Sequence, residues 1–254
     1  MGWAGGRSCH AAGAMSAWPE SRMTSQRPGP GMPRYRLTLE YDGSGFVGWQ
    51  FQPNGMTVQA ALESAIAALG SEAGIAMSTA SRPVAAGRTD SGVHACGMVV
   101  HADIGRTMSP VRLAEALNFH LRPHPVVILS VAAVPDSFDA RFSCIRRHYR
   151  YRILNRVAPP VLDLGRVWHV ARDLDVAAMQ AAAGCLVGHH DFESFRSTHC
   201  QAASAEKTLE RLEVARVGEE VHVRAAARSF LHNQVRILTG TLVQVGLGRW
   251  TLED

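Results

Sequence analysis

The sequence predicts an α+β fold built from two ferredoxin-like α+β domains with mainly antiparallel sheets. Segments with a period of two, which is typical of strands, alternate with segments whose apolar residues recur every three or four positions, which is typical of helices. In the first half the predicted order is strand, helix, strand, strand, helix, strand, the order of a ferredoxin-like unit. The second half follows a similar order without a strict repeat. A second α+β domain that faces the first is therefore the simplest architecture.

The elements of the first half follow from the spacing of apolar residues. Residues 34–41 alternate between apolar and polar side chains, which predicts a strand. Apolar residues between 57 and 70 recur at helical spacing, and a glycine closes that predicted helix. A second helix is predicted from Ser109, because Pro110 fits the first helical position, where its missing N–H costs nothing. Further strands are predicted at 75–86, at 93–102 and at 126–134.

The same spacing rules predict five elements in the second half. They are a strand at 144–154, a helix at 175–187, a hairpin of strands at 209–217 and 221–227, and a helix at 231–245. We expect a disordered extension at 1–32, an N-terminal domain at 33–136 and a C-terminal domain at 137–254. The extension is expected because those residues are rich in Gly, Ser, Pro and Met, and Gly-Pro-Gly at 29–31 would end any structure there.

Composition narrows the class of protein. The chain has 254 residues, of which 46% are hydrophobic and 19% are charged, as in globular proteins. Its five cysteines are scattered and form no C-x-x-C pair, so we expect neither a disulfide framework nor a metal site. No apolar run approaches the roughly 18 residues of a membrane span. We therefore expect a cytoplasmic protein without a membrane segment, and its net charge of +4 is compatible with an acidic partner.

Residues 86–95 form a glycine-containing loop between two predicted strands. The loop places Asp90 two residues after Arg88, and Gly87 and Gly92 permit backbone angles that a side chain forbids. A nearby guanidinium favours the charged form of an acid, and an aimed, partly desolvated carboxylate is what nucleophilic catalysis by Asp requires. The same residues are also ordinary turn residues. Local chemistry therefore leaves both an active-site loop and a plain turn open.

The predicted strand at 144–154 lies in a basic segment. Six arginines and no acid occur between residues 141 and 156. Alternation places Arg147, Tyr149 and Tyr151 on one face of the strand, and it places Arg146, His148, Arg150 and Arg152 on the other. Arginine interleaved with aromatic residues is typical of nucleic-acid binding, because it combines phosphate neutralisation with base stacking. A solvated edge strand protected by charge remains the alternative.

Residues 34–249 resemble the tRNA pseudouridine synthase A family, with the family's motifs in order. The motifs lie at 40–50, 86–95, 142–151, 191–196 and 230–236, and the loop sequence AGRTDSGVHA is the most specific of them. The resemblance implies that Asp90 is the catalytic aspartate, Arg88 its partner, Tyr149 the pocket tyrosine and Arg236 a second active-site arginine. It further implies that the substrate RNA is bound by a second set of residues, namely Arg147, Arg150, Tyr151, Arg196 and His94.

The resemblance also implies the reaction and the substrate. The family isomerises uridine to pseudouridine at positions 38, 39 and 40 of the tRNA anticodon stem-loop, in a basic cleft between the two domains. The target base must be flipped into a pocket. Uracil leaves the ribose by N1 and rejoins it by C5, so nothing is consumed and no cofactor is implied. Asp90 would attack the ribose C1′ or the uracil ring, or assist elimination, and the sequence leaves these open. A homodimer is implied as well.

Three departures from the family pattern keep alternatives open. Arg228-Ser229 stand where the family usually has Asn, and Gln234 and Ile237 stand where it often has Met and Asn. The chain also ends at Asp254, before a glycine-led apolar strand that the family normally has, so we expect a truncated C-terminal domain. One alternative is therefore a tRNA-binding relative without turnover. Another is an unrelated hydrolase that uses Asp90 with His94.

Overall fold

In the computed structural model, the described residues are 32–72, 82–198, 200 and 202–254. Residues Met32–Asp254 form one compact unit. The predicted disordered extension at 1–32 lies outside the described residues except for its last residue. Most of the strand predicted at 75–86 also lies outside them, and the described part forms only a two-residue strand.

The first half has the predicted order of elements. They are β1 (Arg34–Tyr41), α1 (Val58–Glu72), β2 (Val84–Ala85), β3 (Ala95–Asp103), α2 (Pro110–His120) and β4 (Val126–Ala133). The strands are ordered β2-β3-β1-β4 and all pair antiparallel. This order confirms the ferredoxin-like prediction for this half. The apolar face of β1 is buried because alternate residues such as Leu37 and Leu39 pack in one core with Leu62 of α1.

The second half contains a five-stranded sheet. Its elements are β5 (Arg147–Leu154), β6 (Trp168–His169), α3 (Val176–Cys185), β7 (Gly188–Asp191), β8 (Glu206–Val217), β9 (Glu220–Ala227) and α4 (Gln234–Gly246). The order is β6-β5-β9-β8-β7, and β6 pairs parallel to β5 whereas the other pairs are antiparallel. The predicted α+β class is therefore confirmed. The short strands β6 and β7 were not predicted, because two and four residues carry no readable period.

Each sheet has its own apolar core. The first core includes residues from Tyr35 to Ile128, and the second includes residues from Ile153 to Val243. The predicted domain boundary between 136 and 137 falls in the interval that separates them and remains a prediction.

Helix α4 begins three residues later than predicted. Asn233 has a left-handed backbone with φ of 62°, a conformation that Asn tolerates better than most residues. The N–H of Leu231 donates to Oε1 of Gln234 at 2.8 Å, which closes a turn before the helix. As a result Arg236 lies in the first turn of α4 rather than in its middle.

Candidate active site

The loop that carries Asp90 is packed against a second loop from the same half. Residues 42–49 follow β1, and the N–H of Trp49 donates to the carbonyl of Thr89 at 2.9 Å. Gly48 has φ of 126°, and a Cβ there would lie 3.0 Å from that carbonyl. Glycine is required at this position by both the backbone angle and the close approach. These contacts favour an active-site loop over a plain surface turn.

The residue before Asp90 is anchored in the protein core. The hydroxyl of Thr89 is hydrogen-bonded to the hydroxyl of Tyr41 at 2.8 Å, and both side chains are buried. Burial raises the pKa of Tyr41 to about 12, so the tyrosine is a neutral hydrogen-bonding group at physiological pH. Sequence reasoning missed this pair, because nothing in the pattern of β1 distinguishes Tyr41 from its apolar neighbours.

Tyr41 makes the stability of the protein depend on alkaline pH. Its pKa in the folded chain, about 12, is above that of an unfolded tyrosine, about 10. The stabilisation is therefore fully present below pH 10 and is lost as the pH rises toward 12. We expect the free energy of unfolding to fall by up to about 2 to 3 kcal/mol from this group. Urea unfolding between pH 8 and 12 measures the slope, and Tyr41→Phe should flatten it. An unchanged slope in that variant would contradict the assignment.

Two groups from the second half face the carboxylate of Asp90. Its Oδ2 lies 3.9 Å from Nε of Arg236, and its Oδ1 lies 3.6 Å from Nε2 of His232. Nη2 of Arg236 also donates to the carbonyl of Ser91 at 3.2 Å. Sequence reasoning missed His232, and the only signal was its place in the 230–236 motif next to Arg236. The carboxylate is 40% exposed, so a bulky substrate can reach it.

The pairing of Arg88 with Asp90 stays a prediction, because the ion pairs of Asp90 among the described residues are with His232 and Arg236. Arg88 is exposed, and within the described ranges it forms no ion pair with Asp90. The groups that face Asp90 come instead from α4 and the turn before it, and Arg236 reaches the loop across a sequence separation of 145 residues. A role for Arg88 in contact with the substrate also stays a prediction.

Tyr149 lies near this carboxylate on the helix-covered face of β5. Its ring packs edge-on against Phe230, with the ring centroids 5.1 Å apart and the planes at 87°. Burial raises the pKa of the Tyr149 hydroxyl, and the negative charge of Asp90 adds to the rise while Arg147 opposes it. Tyr149 is therefore a neutral, oriented ring close to Asp90. The structure thus brings Arg236 to face Asp90, and it places Tyr149 close enough for the charge of Asp90 to raise the pKa of its hydroxyl.

Two of the residues predicted to bind RNA instead contact protein groups. Arg147 donates from its guanidinium to the backbone carbonyls of Ala86 and Arg228. The ring of Tyr151 packs edge-on against Trp168, with centroids 6.3 Å apart. Both side chains are only partly exposed. The guanidinium of Arg147 is thus engaged with backbone carbonyls, and direct contact of Tyr151 with RNA stays a prediction.

The outer face of β5 is less cationic than predicted. Most of the arginines on this strand and directly beside it pair with acids from β8, β9, the turn between them or the loop before β6. The pairs are Arg146 with Glu210, Arg152 with Glu220 and Asp163, and Arg156 with Glu219. These acids lie on neighbouring segments of the fold. The lack of acidic residues within 141–156 therefore did not mean that the arginines lack acidic neighbours in the folded chain. Arg150 is the exception on this strand, because it is exposed and has no acidic partner in the part of the chain that is described.

His94 and Arg196 also make local contacts. Nδ1 of His94 accepts the N–H of Gly43 at 3.1 Å and lies 3.1 Å from Oδ1 of Asp42, which fixes the loop after β1. Arg196 pairs with Glu193 at 2.7 Å. Because Nδ1 of His94 contacts Gly43 and Asp42, and no hydrogen bond or ion pair joins His94 to Asp90 among the described residues, the geometry does not support the pair that the hydrolase alternative needs.

The carboxylate of Asp90 lies on an accessible surface, since its side chain is 40% exposed. A groove of about 970 Å³ lies elsewhere, between α3 and the segment after α4, lined by residues such as Leu174, Arg216 and Trp250. Within the described residues no cluster of three or more His, Cys, Asp or Glu is arranged to hold a metal ion. No helix in the same ranges is long and apolar enough to cross a membrane. An open carboxylate of this kind suits a macromolecular substrate.

The family of the chain is shown by its similarity to known proteins. A family model described as tRNA pseudouridine synthase matches residues 38–143 and 182–254. A protein from Afipia carboxidovorans named tRNA pseudouridine synthase A is 55% identical over 223 residues, 88% of this chain and 88% of the relative. A protein of the same name from Rhodospirillum rubrum is 55% identical over 222 residues, 87% of this chain and 77% of the relative. The chain therefore belongs to the tRNA pseudouridine synthase family.

Proposed function

We propose that this chain isomerises uridine to pseudouridine in tRNA, at positions 38, 39 and 40 of the anticodon stem-loop. The observation that carries the proposal is that Arg236, from the second half, faces the carboxylate of Asp90 in a chain of this family, with Tyr149 close enough for its pKa to be raised by the charge of Asp90. The family resemblance supplies the tRNA positions. The alternative of a binding relative without turnover is not favoured, because the site groups meet in the folded chain.

The rearrangement can be written with the residues that the chain provides. The C1′–N1 bond of the flipped uridine breaks, the uracil turns, and a C1′–C5 bond forms, while C5 loses its proton and N1, which carried none, gains one. Asp90 provides the nucleophile or assists the departure of the base. Because burial keeps Tyr149 neutral, its first role is to stack on the flipped base and orient it. Nothing is consumed, so the proposal needs no cofactor.

The arginines divide into positioning groups and groups that meet RNA. Arg236 orients the Asp90 carboxylate, at 3.9 Å from its Oδ2. Arg88 is exposed beside the loop and is free to fill the space that the extruded base leaves. Arg150, exposed and without an acidic partner among the described residues, is suited to a phosphate. Arg196 would have to exchange Glu193 for a phosphate, which makes it the weaker candidate.

We further propose a homodimer that acts in the cytoplasm, where unmodified tRNA is available. The loop before β6 supports the dimer, because it exposes several large apolar side chains, and clusters of this kind mark interaction surfaces. They are Val157, Val161, Leu162 and Leu164. Light scattering gives the mass in solution, and a monomer at micromolar concentration would contradict the dimer. Cell fractionation tests the location.

An assay on unmodified tRNA transcripts tests the proposed function. The transcript is incubated with the chain, and pseudouridine is mapped by carbodiimide-dependent stops of a primer extension. We expect stops only at uridines 38, 39 and 40. Transcripts with cytidine at those positions are the matched control and should give none. Salt-sensitive binding without any product, under conditions in which a family relative is active, would instead establish the binding relative.

A further inference from the structure

The guanidinium of Arg147 bonds to three separate backbone segments. Nε donates to the carbonyl of Ala86 at 2.9 Å, and Nη2 donates to the same oxygen. Nη1 donates to the carbonyl of Arg228, and Nη2 also reaches that of Arg141 at 3.3 Å. The first carbonyl begins the loop of Asp90, the second follows β9, and the third precedes β5. One side chain thus ties the catalytic loop of the first half to the sheet of the second.

The loop backbone lies directly against this side chain. A Cβ added to Gly87 would be 3.2 Å from Nε and 3.4 Å from Cδ of Arg147. Glycine at this position lets the loop backbone approach the side chain closely, whereas the positive-φ glycine of the loop is Gly92, with φ of 75°. The start of the loop is therefore in direct contact with Arg147.

We propose that Arg147 is a positioning residue that fixes the separation between the catalytic carboxylate and the pocket tyrosine. Ala86 lies four residues before Asp90, and Arg147 lies two residues before Tyr149 on the same face of β5. The guanidinium thus connects the backbone that leads to Asp90 with the strand that carries Tyr149. The proposal rests on the proposed isomerase function, in which these two groups meet the same base.

The contacts argue against the direct RNA-binding role that the family resemblance implies for Arg147. A phosphate could bind its guanidinium only after the half-buried carbonyl of Ala86 had lost its donors, and a half-buried acceptor without a partner is costly. Further along the loop, Arg236 bonds to Ser91. Arg147 holds the start of the loop without touching the carboxylate, so its effect on catalysis would be indirect.

The test compares three variants by single-turnover kinetics and by tRNA binding at several salt concentrations. We expect Arg147→Met to lower kcat roughly 10²-fold, because misplacing a catalytic group by about 1 Å has that effect. KM and the salt dependence of binding should stay unchanged. Arg147→Lys should recover part of kcat, since an ammonium reaches one of the carbonyls. Arg146→Met removes the neighbouring arginine, which pairs with Glu210, and should behave as the unmodified chain.

Amide hydrogen exchange of residues 86–94 reports the same contact without any turnover. We expect exchange to rise roughly tenfold in Arg147→Met and not in Arg146→Met. This measurement separates the positioning role of Arg147 from the proposed isomerase function. Even if the unmodified chain has no isomerase activity, hydrogen exchange still shows whether Arg147 holds the loop. Should Arg147→Met fail to fold, Arg147→Lys and Gly87→Ala provide the comparison.

A double-mutant cycle shows whether kcat depends on this particular contact. Gly87→Ala places a methyl group against Arg147, so we expect it to lower kcat in the unmodified chain but to add little in Arg147→Met. Additive effects would overturn the proposal. A raised KM with unchanged kcat and a salt slope smaller by about one would identify a phosphate ligand instead. The proposal would also be overturned if Arg147→Met showed the same amide exchange in the loop and the same kcat as the unmodified chain.

Discussion

Asp90→Asn is expected to abolish product formation, with a loss in kcat on the order of 10⁴-fold or more. The amide has the shape of the carboxylate but not its negative charge or its nucleophilicity. Folding should be little affected, because the side chain is half-exposed and its nearest charged neighbours are 3.6 and 3.9 Å away. Single-turnover mapping of pseudouridine measures the loss, and binding of tRNA should change by about twofold at most.

The control for this substitution is another carboxylate of the same chain. Asp163 is half-exposed and pairs with Arg152 on the loop before β6. Asp163→Asn makes the same chemical change outside the site and should retain the rate of the unmodified chain. If Asp90→Asn formed pseudouridine at more than about a hundredth of that rate, the carboxylate would not be the reacting group.

Arg236→Leu is expected to lower kcat by roughly 10² to 10³-fold, the usual effect of losing one preorganised charged donor. The guanidinium faces the carboxylate of Asp90 and also donates to the carbonyl of Ser91, so it orients the nucleophile and the loop that carries it. Arg236→Lys keeps the positive charge, but a single ammonium group cannot contact the carboxylate of Asp90 and the carbonyl of Ser91 in the same way as the planar guanidinium. We therefore expect an intermediate rate.

The matched control lies at the other end of α4. Arg249 donates to Oε1 of Gln244 and makes no contact with the loop of Asp90 among the described residues. Arg249→Leu removes the same charge and should leave kcat unaltered. If Arg236→Leu instead raised KM alone and reduced the salt dependence of tRNA binding, Arg236 would be a phosphate ligand and not a partner of Asp90.

The fold was predictable from the sequence wherever local periodicity determines it. The strand β1 was predicted with its full bounds, because its alternation is uninterrupted and one face is buried. The start of α4 was not predicted correctly, because it depends on the hydrogen bond that Oε1 of Gln234 accepts from the N–H of Leu231 and on the left-handed backbone of Asn233. The strands β6 and β7 exist only through pairing with their neighbours.

The candidate site was predictable only in part, for a related reason. A specific motif identified the loop of Asp90, but its facing groups come from α4 and the turn before it, and the sequence adjacent to Asp90 suggested Arg88 instead. The arginines of β5 illustrate the same limit. Their charge is neutralised by acids such as Glu210 and Glu220, whose proximity depends on strand register and not on β5 itself.

The anchoring of Thr89 by Tyr41 has a consequence for the smallest active unit. The carboxylate stands on the core of one half, whereas the ring and the guanidinium that meet it stand on the other. Either half by itself would therefore carry an incomplete set of reacting groups. A substitution that only tilts the two halves against each other would then impair turnover while leaving each of them intact.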